Sequence, residues 1–573
     1  MTQNIQNKKI LQNKKIIFLI VGILSFQMLV LISVYGENWS IELGGPSTGA
    51  GLPVMYSYFT EDEYSYEVLF QEQDSHIHLT SRIPLLLSLF FNDFDTKSLM
   101  YLGWAMLTAS VFFIYSILKR QDEKLIWLLI PISALIFNPI QYFTVLWSFA
   151  FFCYGIPFVA TIVIAHLLNK KNIKNRSYFI AILVGVIASF SIVGGPLALV
   201  SGIIPLAYKK DFKKLLGWIS VIVVVAAAYI LSWSGKITER FLINPETQVI
   251  NFLKSVSLPF TVKFDVNYSI LGIILITIFV MSLIFLKKSK KIDASIPWIQ
   301  MSTVGILISL MVSLGKGNVT YYYSTMSDLF AIGLVGLFGI IILQLGLKSD
   351  KKKIRMILIL LIVGMLILLI PSYYMGWKLA DDFNTYESKR NSCYSLNPDN
   401  EECKFDYKIL SKLDTKERLQ VMNELLKQKM GIFSGDKLNE IAEKDQNEFN
   451  QSLVNNKKID NGFGEIIEIN GKDENKIENL SEPIITISGW MENDMHQTVD
   501  YLYIISDTTP LTKISDFGES PIDYESSENG NDSFWEITIL SGYLEEKCSN
   551  ISIIGFKNDK KIFLNDEVII CKT

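Results

Sequence analysis

Two of the chain's four histidines, His76 and His78, stand in the run Gln71-Glu72-Gln73-Asp74-Ser75-His76-Ile77-His78, with Arg82 close behind. Imidazole beside carboxylate is the pairing that general acid–base chemistry uses, and it also suits Zn²⁺ or Mn²⁺. A guanidinium a few residues on can grip phosphate through two parallel hydrogen bonds. Upstream in the same segment, Gly36 to Lys97, lie Glu37 and the acidic run Glu61-Asp62-Glu63. Each feature also has a plain reading. A charge run is usually a solvated face. Histidines that alternate as on a strand can simply hydrogen-bond within a structured loop. Because spacing fixes no third or fourth ligand, no metal site is assigned.

The elements that must position these residues are membrane spans. Half of the 573 residues are hydrophobic, and mean hydropathy is +0.31, too apolar for a soluble chain of this size. The apolar residues come in blocks of bilayer length: Ile16 to Tyr35, Leu99 to Leu118, Phe149 to Leu168, Leu215 to Trp233, Ile270 to Leu286, Ile299 to Leu314, Leu329 to Leu347 and Ile354 to Ile370. Leu125 to Gln141 and Ser177 to Tyr208 are apolar but interrupted by Pro or Gly. Basic loops orient the spans: Lys8, Lys9, Lys14 and Lys15, then Lys119-Arg120, Lys170-Lys171, Lys209-Lys210, Lys287 to Lys291 and Lys348 to Arg355. With all of these in the cytoplasm, Ser177 to Tyr208 must cross twice, breaking at Val193-Gly194-Gly195-Pro196. The expectation is about eleven spans, with the N-terminus cytoplasmic and the C-terminal part extracytoplasmic. Glu37 and the acidic and histidine runs then lie in a first external loop, residues 36–97. No clear small-residue cleavage site follows the first apolar stretch, so it reads as a retained span.

About two hundred polar residues follow Pro371. Tyr373 to Arg390 reads as a helical exit from the membrane, and Asp414 to Lys429 carries apolar residues on a helical period. From about Gly462, alternating runs suggest strands: Ile484 to Trp490, Val499 to Ile505, Phe534 to Leu540, Ile551 to Phe556 and Lys561 to Ile570, with a hairpin at Asn558-Asp559. The domains are therefore 1–375, a polytopic membrane domain; 376–445, an extracytoplasmic helical linker; and 446–573, a small all-β sandwich. Cys393, Cys403, Cys548 and Cys571 lie in the part placed outside, where disulfides persist. Sequence-local pairing gives Cys393–Cys403 and Cys548–Cys571, and the other pairings stay open. Trp490, Tyr501, Tyr503 and Trp535 either fill the sandwich core or stack on sugar rings. A net charge of −4 argues against a nucleic-acid partner.

Several segments resemble, in order along the chain, a bacterial and archaeal group within the GT-C-like polytopic membrane glycosyltransferases. Asp74-Ser75-His76 with Arg82-Ile83-Pro84 is similar to that group's Asn-Glu-His…Arg-Leu segment in the first external loop. The match holds at His76 and Arg82, with Asp74 at the Asn position, and departs at Ser75 and Ile77. Phe137-Asn138-Pro139-Ile140-Gln141 with Leu146-Trp147-Ser148-Phe149 resembles its Pro-x-Gln…Leu-Trp-Gly-Phe segment. Ala188-Ser189-Phe190-Ser191 before Gly194-Gly195-Pro196 resembles its Ala-Ser-x-Ser…Gly turn, and Leu314-Gly315-Lys316 its Leu-Gly-Arg.

The resemblance implies transfer of a sugar from a polyprenyl-phosphate donor to an acceptor at the outer face of the membrane, in the cell envelope. It implies Glu37 or Asp62 as general base, with Asp74 and His76 orienting substrate. Arg82, Lys316 and Arg240 would hold phosphate, and a divalent metal, Mg²⁺ or Mn²⁺, is the cofactor such chemistry often employs. Arg82 has a plainer alternative, anchoring the amphipathic run Ile83 to Phe91 at the headgroups. Two other classes stay in view: a non-catalytic assembly or anchoring protein that displays the sandwich, and a lipid or polysaccharide transporter. Against the transporter stands the expectation that no ionisable residue lies deep in a span. The chain has no P-loop, HExxH, dinucleotide-binding glycine pattern or nucleophile elbow.

Overall fold

The computed structural model describes residues 2–39, 67–70, 72–73, 76–91, 95–192, 194–232, 245–260, 267–289, 292–315, 324–345 and 352–396, and strand segments between 458 and 572. It divides into two compact units, the first made chiefly of residues 96–385 and the second chiefly of residues 386–573. Asp62, Asp74, Arg240, Lys316 and Cys403, together with the Asp414 to Lys429 run, lie outside the described residues.

The first unit is helical. In chain order its principal helices are α1 (Thr2–Trp39), α2 (Leu79–Phe91), α3 (Lys97–Gln121), α4 (Leu129–Ile136), α5 (Tyr142–Leu146), α6 (Ile156–Leu168), α7 (Asn175–Ser189), α8 (Gly194–Val200) and α9 (Ile203–Tyr208). These are followed by α10 (Phe212–Ser232), α11 (Pro245–Ser257), α12 (Asn267–Lys288), α13 (Ile292–Gly315), α14 (Ser324–Leu345) and α15 (Lys352–Leu396). Among the described residues, eight helices are long and apolar enough to cross a membrane, or nine with the bent pair Glu123–Ile136 and Pro139–Leu146. Reaching eleven would require the shorter apolar helices Asn175–Ser189 and Gly194–Tyr208 as well.

Burial separates centre from rim. Within its apolar span α14 is 94% buried inside the protein, against 11% for α10. The rim helices present Leu216, Val223, Val224 and Leu231 on α10 and Ile357, Leu360, Ile367 and Ile370 on α15. Apolar surface on that scale is what a bilayer would solvate.

Two chain breaks shape the interior, the first at a proline and the second at a tight glycine contact. Pro139 has no N–H to give, and Asn138 caps the restart by accepting from Ile140 N at 3.1 Å. The Asn138 amide then donates to the Pro259 carbonyl and to Ser372 Oγ, each at 3.0 Å. Helix α15 crosses this break so closely that a Cβ on Gly376 would meet the Pro139–Ile140 backbone. The second break, at Ser191–Gly195, folds α7 back on α8. There a Cβ on Gly195 would strike the Ala188 carbonyl oxygen, so only glycine lets the hairpin close this tightly.

Helix α6 defines two ends of this unit. Its start adjoins α2, where Thr80 Oγ1 donates to the Phe152 carbonyl at 2.9 Å. Its finish adjoins a group of basic residues, where Lys209 Nζ donates to the Leu168 carbonyl at 2.8 Å. The hairpin of α7 with α8 and α9 runs from the second end to the first and back. Its turn accepts the Thr80 N–H at the Phe190 carbonyl, 3.2 Å away, and its return leg finishes at Lys209.

In the second unit, strand Ile484–Glu492 pairs antiparallel with Phe463–Ile469 and Phe534–Leu540. Strand Cys548–Lys557 pairs antiparallel with Tyr501–Ser506, Lys560–Phe563 and Val568–Lys572. The expected single strand Lys561 to Ile570 is two, Lys560–Phe563 and Val568–Lys572. The register sets residue 548 opposite residue 571, and Cys393 lies in the last turn of α15.

Candidate functional site at the α2 end

The segment ahead of α2 is a short hairpin, β1 (Glu72–Gln73) and β2 (His76–Ile77), with Gln73 opposite His76. Ile77 and His78 are both buried. Pro84 lies inside α2 and lacks the N–H that would reach back to the Thr80 carbonyl, so one bond of the helical ladder is not made. Beyond it the helix is two-faced: Ser81, Arg82, Leu85, Ser88 and Leu89 are buried, whereas Ile83, Leu87, Phe90 and Phe91 are exposed. This is the pattern of a helix lying on an interface with one side inserted into protein.

Arg82 therefore does not reach the headgroup side of α2. It is fully buried, and Nη1 donates to the Leu69 carbonyl at 3.2 Å. The alternative of a headgroup anchor is corrected here, because Arg82 shares its face with Leu85 and Leu89 and not with Phe90 and Phe91.

Beside it, His78 Nδ1 stands 3.4 Å from Cys153 Sγ, and Ser81 Oγ is 3.6 Å from the same sulfur. Ser81 Oγ in turn donates to the His78 carbonyl at 3.0 Å. Cys153 belongs to a π-helical turn, Phe151–Gly155. Pro157 cannot donate to the Cys153 carbonyl as an α-helix would require, and the Ile156 N–H reaches back to Phe151 O instead. The widened turn aims Phe151 at Gly103 and Gly155, each with room only for hydrogen.

From His78 a run of ring contacts leads inward. His78 to Phe149 is 5.5 Å between ring centres, Phe149 to Trp147 is 5.6 Å, and Trp147 to Phe143 is 4.6 Å. Tyr142 continues it, next to Gln141. Gln141 is fully buried; its amide donates to the Leu135 carbonyl at 2.9 Å and to Asp328 Oδ2, and its carbonyl accepts from Thr325 Oγ1 at 3.0 Å. Asp328 is completely buried, and its second oxygen, Oδ1, has no hydrogen-bond partner among the described residues. Such an oxygen calls for a donor: a proton of its own, a water or a cation.

Asp328 bears on the expectation that no ionisable residue lies deep in a span: it is enclosed by protein, three residues into the apolar stretch Thr325–Leu345 and so near its start. It is the one charged residue of that stretch, and that signal is visible in the sequence. A span begun at Leu329 excludes it by a single position. The pairing of His78 with Cys153 carried no comparable signal, because 75 residues separate them.

Of the other site residues expected from sequence, Glu37 falls in the last turn of α1 and His76 in β2. Among the described residues no three His, Cys, Asp or Glu side chains come together as a metal ion would need. Asp62 and Asp74 lie outside the described residues, and no step is routed through a metal.

No family model matches the chain, and neither the curated proteins nor the solved structures compared with it yield a match.

Proposed function

We propose that the chain is a GT-C-like membrane glycosyltransferase that moves a sugar from a polyprenyl-phosphate donor to an acceptor at the membrane face bearing α2. The observation that carries this reading is the seating of α2. It follows the first apolar helix, turns Phe90 and Phe91 outward, and sinks a buried arginine and histidine into the membrane domain. A lipid-borne phosphate approaching along that apolar face would arrive where charged and polar groups are already held in place.

In the proposed transfer the acceptor hydroxyl loses its proton to a carboxylate, Glu37 or Asp62, as its oxygen bonds to the sugar's anomeric carbon. The bond from that carbon to phosphate breaks, and polyprenyl phosphate leaves with the electron pair. Asp74 and His76 orient the substrates, while Lys316 and Arg240 neutralise the leaving phosphate. Arg82, tied to Leu69, acts by holding the loop. The same reading puts the N-terminus in the cytoplasm and the C-terminal part, as a β-sandwich with Cys393–Cys403 and Cys548–Cys571 disulfides, outside the cell membrane.

The test is transfer from a polyprenyl-phosphate sugar by the purified chain in lipid nanodiscs. The double variant Glu37→Gln/Asp62→Asn and the single variant His76→Ala should each abolish it while leaving thermal unfolding unchanged. Full activity in both variants would sink the assignment.

A second reading has its own observation. Asp328, buried with one oxygen lacking a partner among the described residues, is the kind of group that couples ion or proton movement to transport. Under that reading Asp328→Asn abolishes uptake or flipping of lipid in proteoliposomes, and the loop variants are silent. A non-catalytic anchoring role would leave both sets of variants without effect.

A further inference from the structure

At the opposite end, four cations line one recess of about 640 Å³. Arg120 comes from the last turn of α3, Lys170 and Lys171 from the connection between α6 and α7, and Lys209 from the residue after α9. Asp293, in the first turn of α13, is the one carboxylate in the lining, and Asn169 lies between the groups.

Two of the cations are fixed by carbonyl groups. Arg120 donates to the carbonyls of Ser116 at 3.1 Å and His166 at 2.9 Å. Lys209 Nζ donates to the carbonyls of Leu168 and Lys170. Asn169 is braced by Gln300 at 3.1 Å, and Gln300 by Ser201 at 2.9 Å. Helix C-termini welcome positive charge, which explains why single cations gather there. It does not explain a shared concavity holding three more positive charges than negative ones. Mutual repulsion is felt: Lys209 is pushed down to about 8 by burial and by Arg120, and Lys170 is lowered by burial, Arg120 and Lys174.

We propose that this recess binds a phosphate group, with Arg120 and Lys209 as its fixed walls and Lys170 and Lys171 closing over it. Its volume lies within the range of roughly 300–1,000 Å³ usual for small-ligand sites. With Nε and Nη2 of Arg120 engaged by Ser116 and His166, it is the Nη1 side of the guanidinium, flanked by ammonium groups, that suits an anion. The phosphate belongs either to a lipid headgroup or to a free phosphate compound, and the experiment separates these sources.

The full chain in phosphatidylcholine nanodiscs is titrated with inorganic phosphate against chloride at matched ionic strength, following Tm by tryptophan fluorescence. In a second arm, nanodiscs contain phosphatidylglycerol. A rise in Tm in the first arm identifies a free phosphate ligand, and a rise in the second alone identifies a headgroup. In either case Lys170→Gln/Lys171→Gln should weaken binding about tenfold, the expected loss of charge-assisted contacts. Asp293→Asn should tighten it. Lys213→Gln, an exposed lysine outside the recess, should leave it unchanged. No shift in either arm, or an equal loss in the Lys213 and Lys170/Lys171 variants, overturns the proposal.

Discussion

The two ends of the membrane unit handle charge in opposite ways. At the α2 end it is enclosed: Arg82 and Asp328 are both completely buried, Arg82 donating to the Leu69 carbonyl and Asp328 accepting from the Gln141 amide. At the basic end it is dense and wet, with cations crowded around an open recess and pinned by helix-terminal carbonyls. An enclosed charge is expensive to bury and costly to strand, so its surroundings must be pre-arranged. A wet cluster tolerates rearrangement because water screens it. The first end has the character of a site shaped for one task, the second that of a site that adapts to an incoming anion.

The sharpest way to break this contrast is Arg82→Met. It strands the Leu69 carbonyl under α2 and loses a buried side chain, so thermal unfolding in nanodiscs should show a loss of about 2–4 kcal/mol. A loss below the effect of an exposed lysine variant would mean that α2 is not held from beneath. Next, Gly376→Ala drives a methyl into the Pro139–Ile140 backbone, with an expected cost of about 1–3 kcal/mol. A neutral result by the same measurement would show that the helix break can move aside. Asp328→Asn comes third. The amide keeps the shape of the side chain, so destabilisation should stay near 1 kcal/mol. Glycosyl transfer should survive, whereas coupled transport should not.

The smallest effect belongs to the basic end and depends on pH. Lys209 faces Arg120 on α3, Asp293 on α13, and Asp211 and Lys214 beyond its own position. With its pKa pulled from 10.5 to about 8, the folded state binds fewer protons than the unfolded state between those values. Stability should therefore rise as pH climbs from about 8 towards 10.5, modestly because the group is half exposed. Lys209→Met should flatten that rise in a Tm-against-pH profile.

What could be read from residues alone follows the bilayer. The long apolar helices, the break at Asn138-Pro139 and the reversal near Gly194-Gly195-Pro196 were legible, because apolar length and missing donors act locally. The interior of the α2 end was not. Whether Arg82 points to headgroups or to Leu69 depends on which face of α2 docks, and its neighbours Ile83 and Pro84 do not decide that. His78 meets Cys153 only because a distant π-helical turn delivers it. Asp328 was legible in type, as a charge beside an apolar block, but its complete enclosure by Gln141 and α14 is a product of packing.

That π-helical turn, Phe151–Gly155, carries a longer-term consequence. It holds one residue more than an α-helical turn would, so the chain stores a surplus residue beside its most enclosed polar contacts. A one-residue deletion there can be absorbed by a return to regular winding, with the helix on either side keeping its facing. The segment is thus a slack point in evolutionary time, where the chain can lose a residue without re-aiming α6.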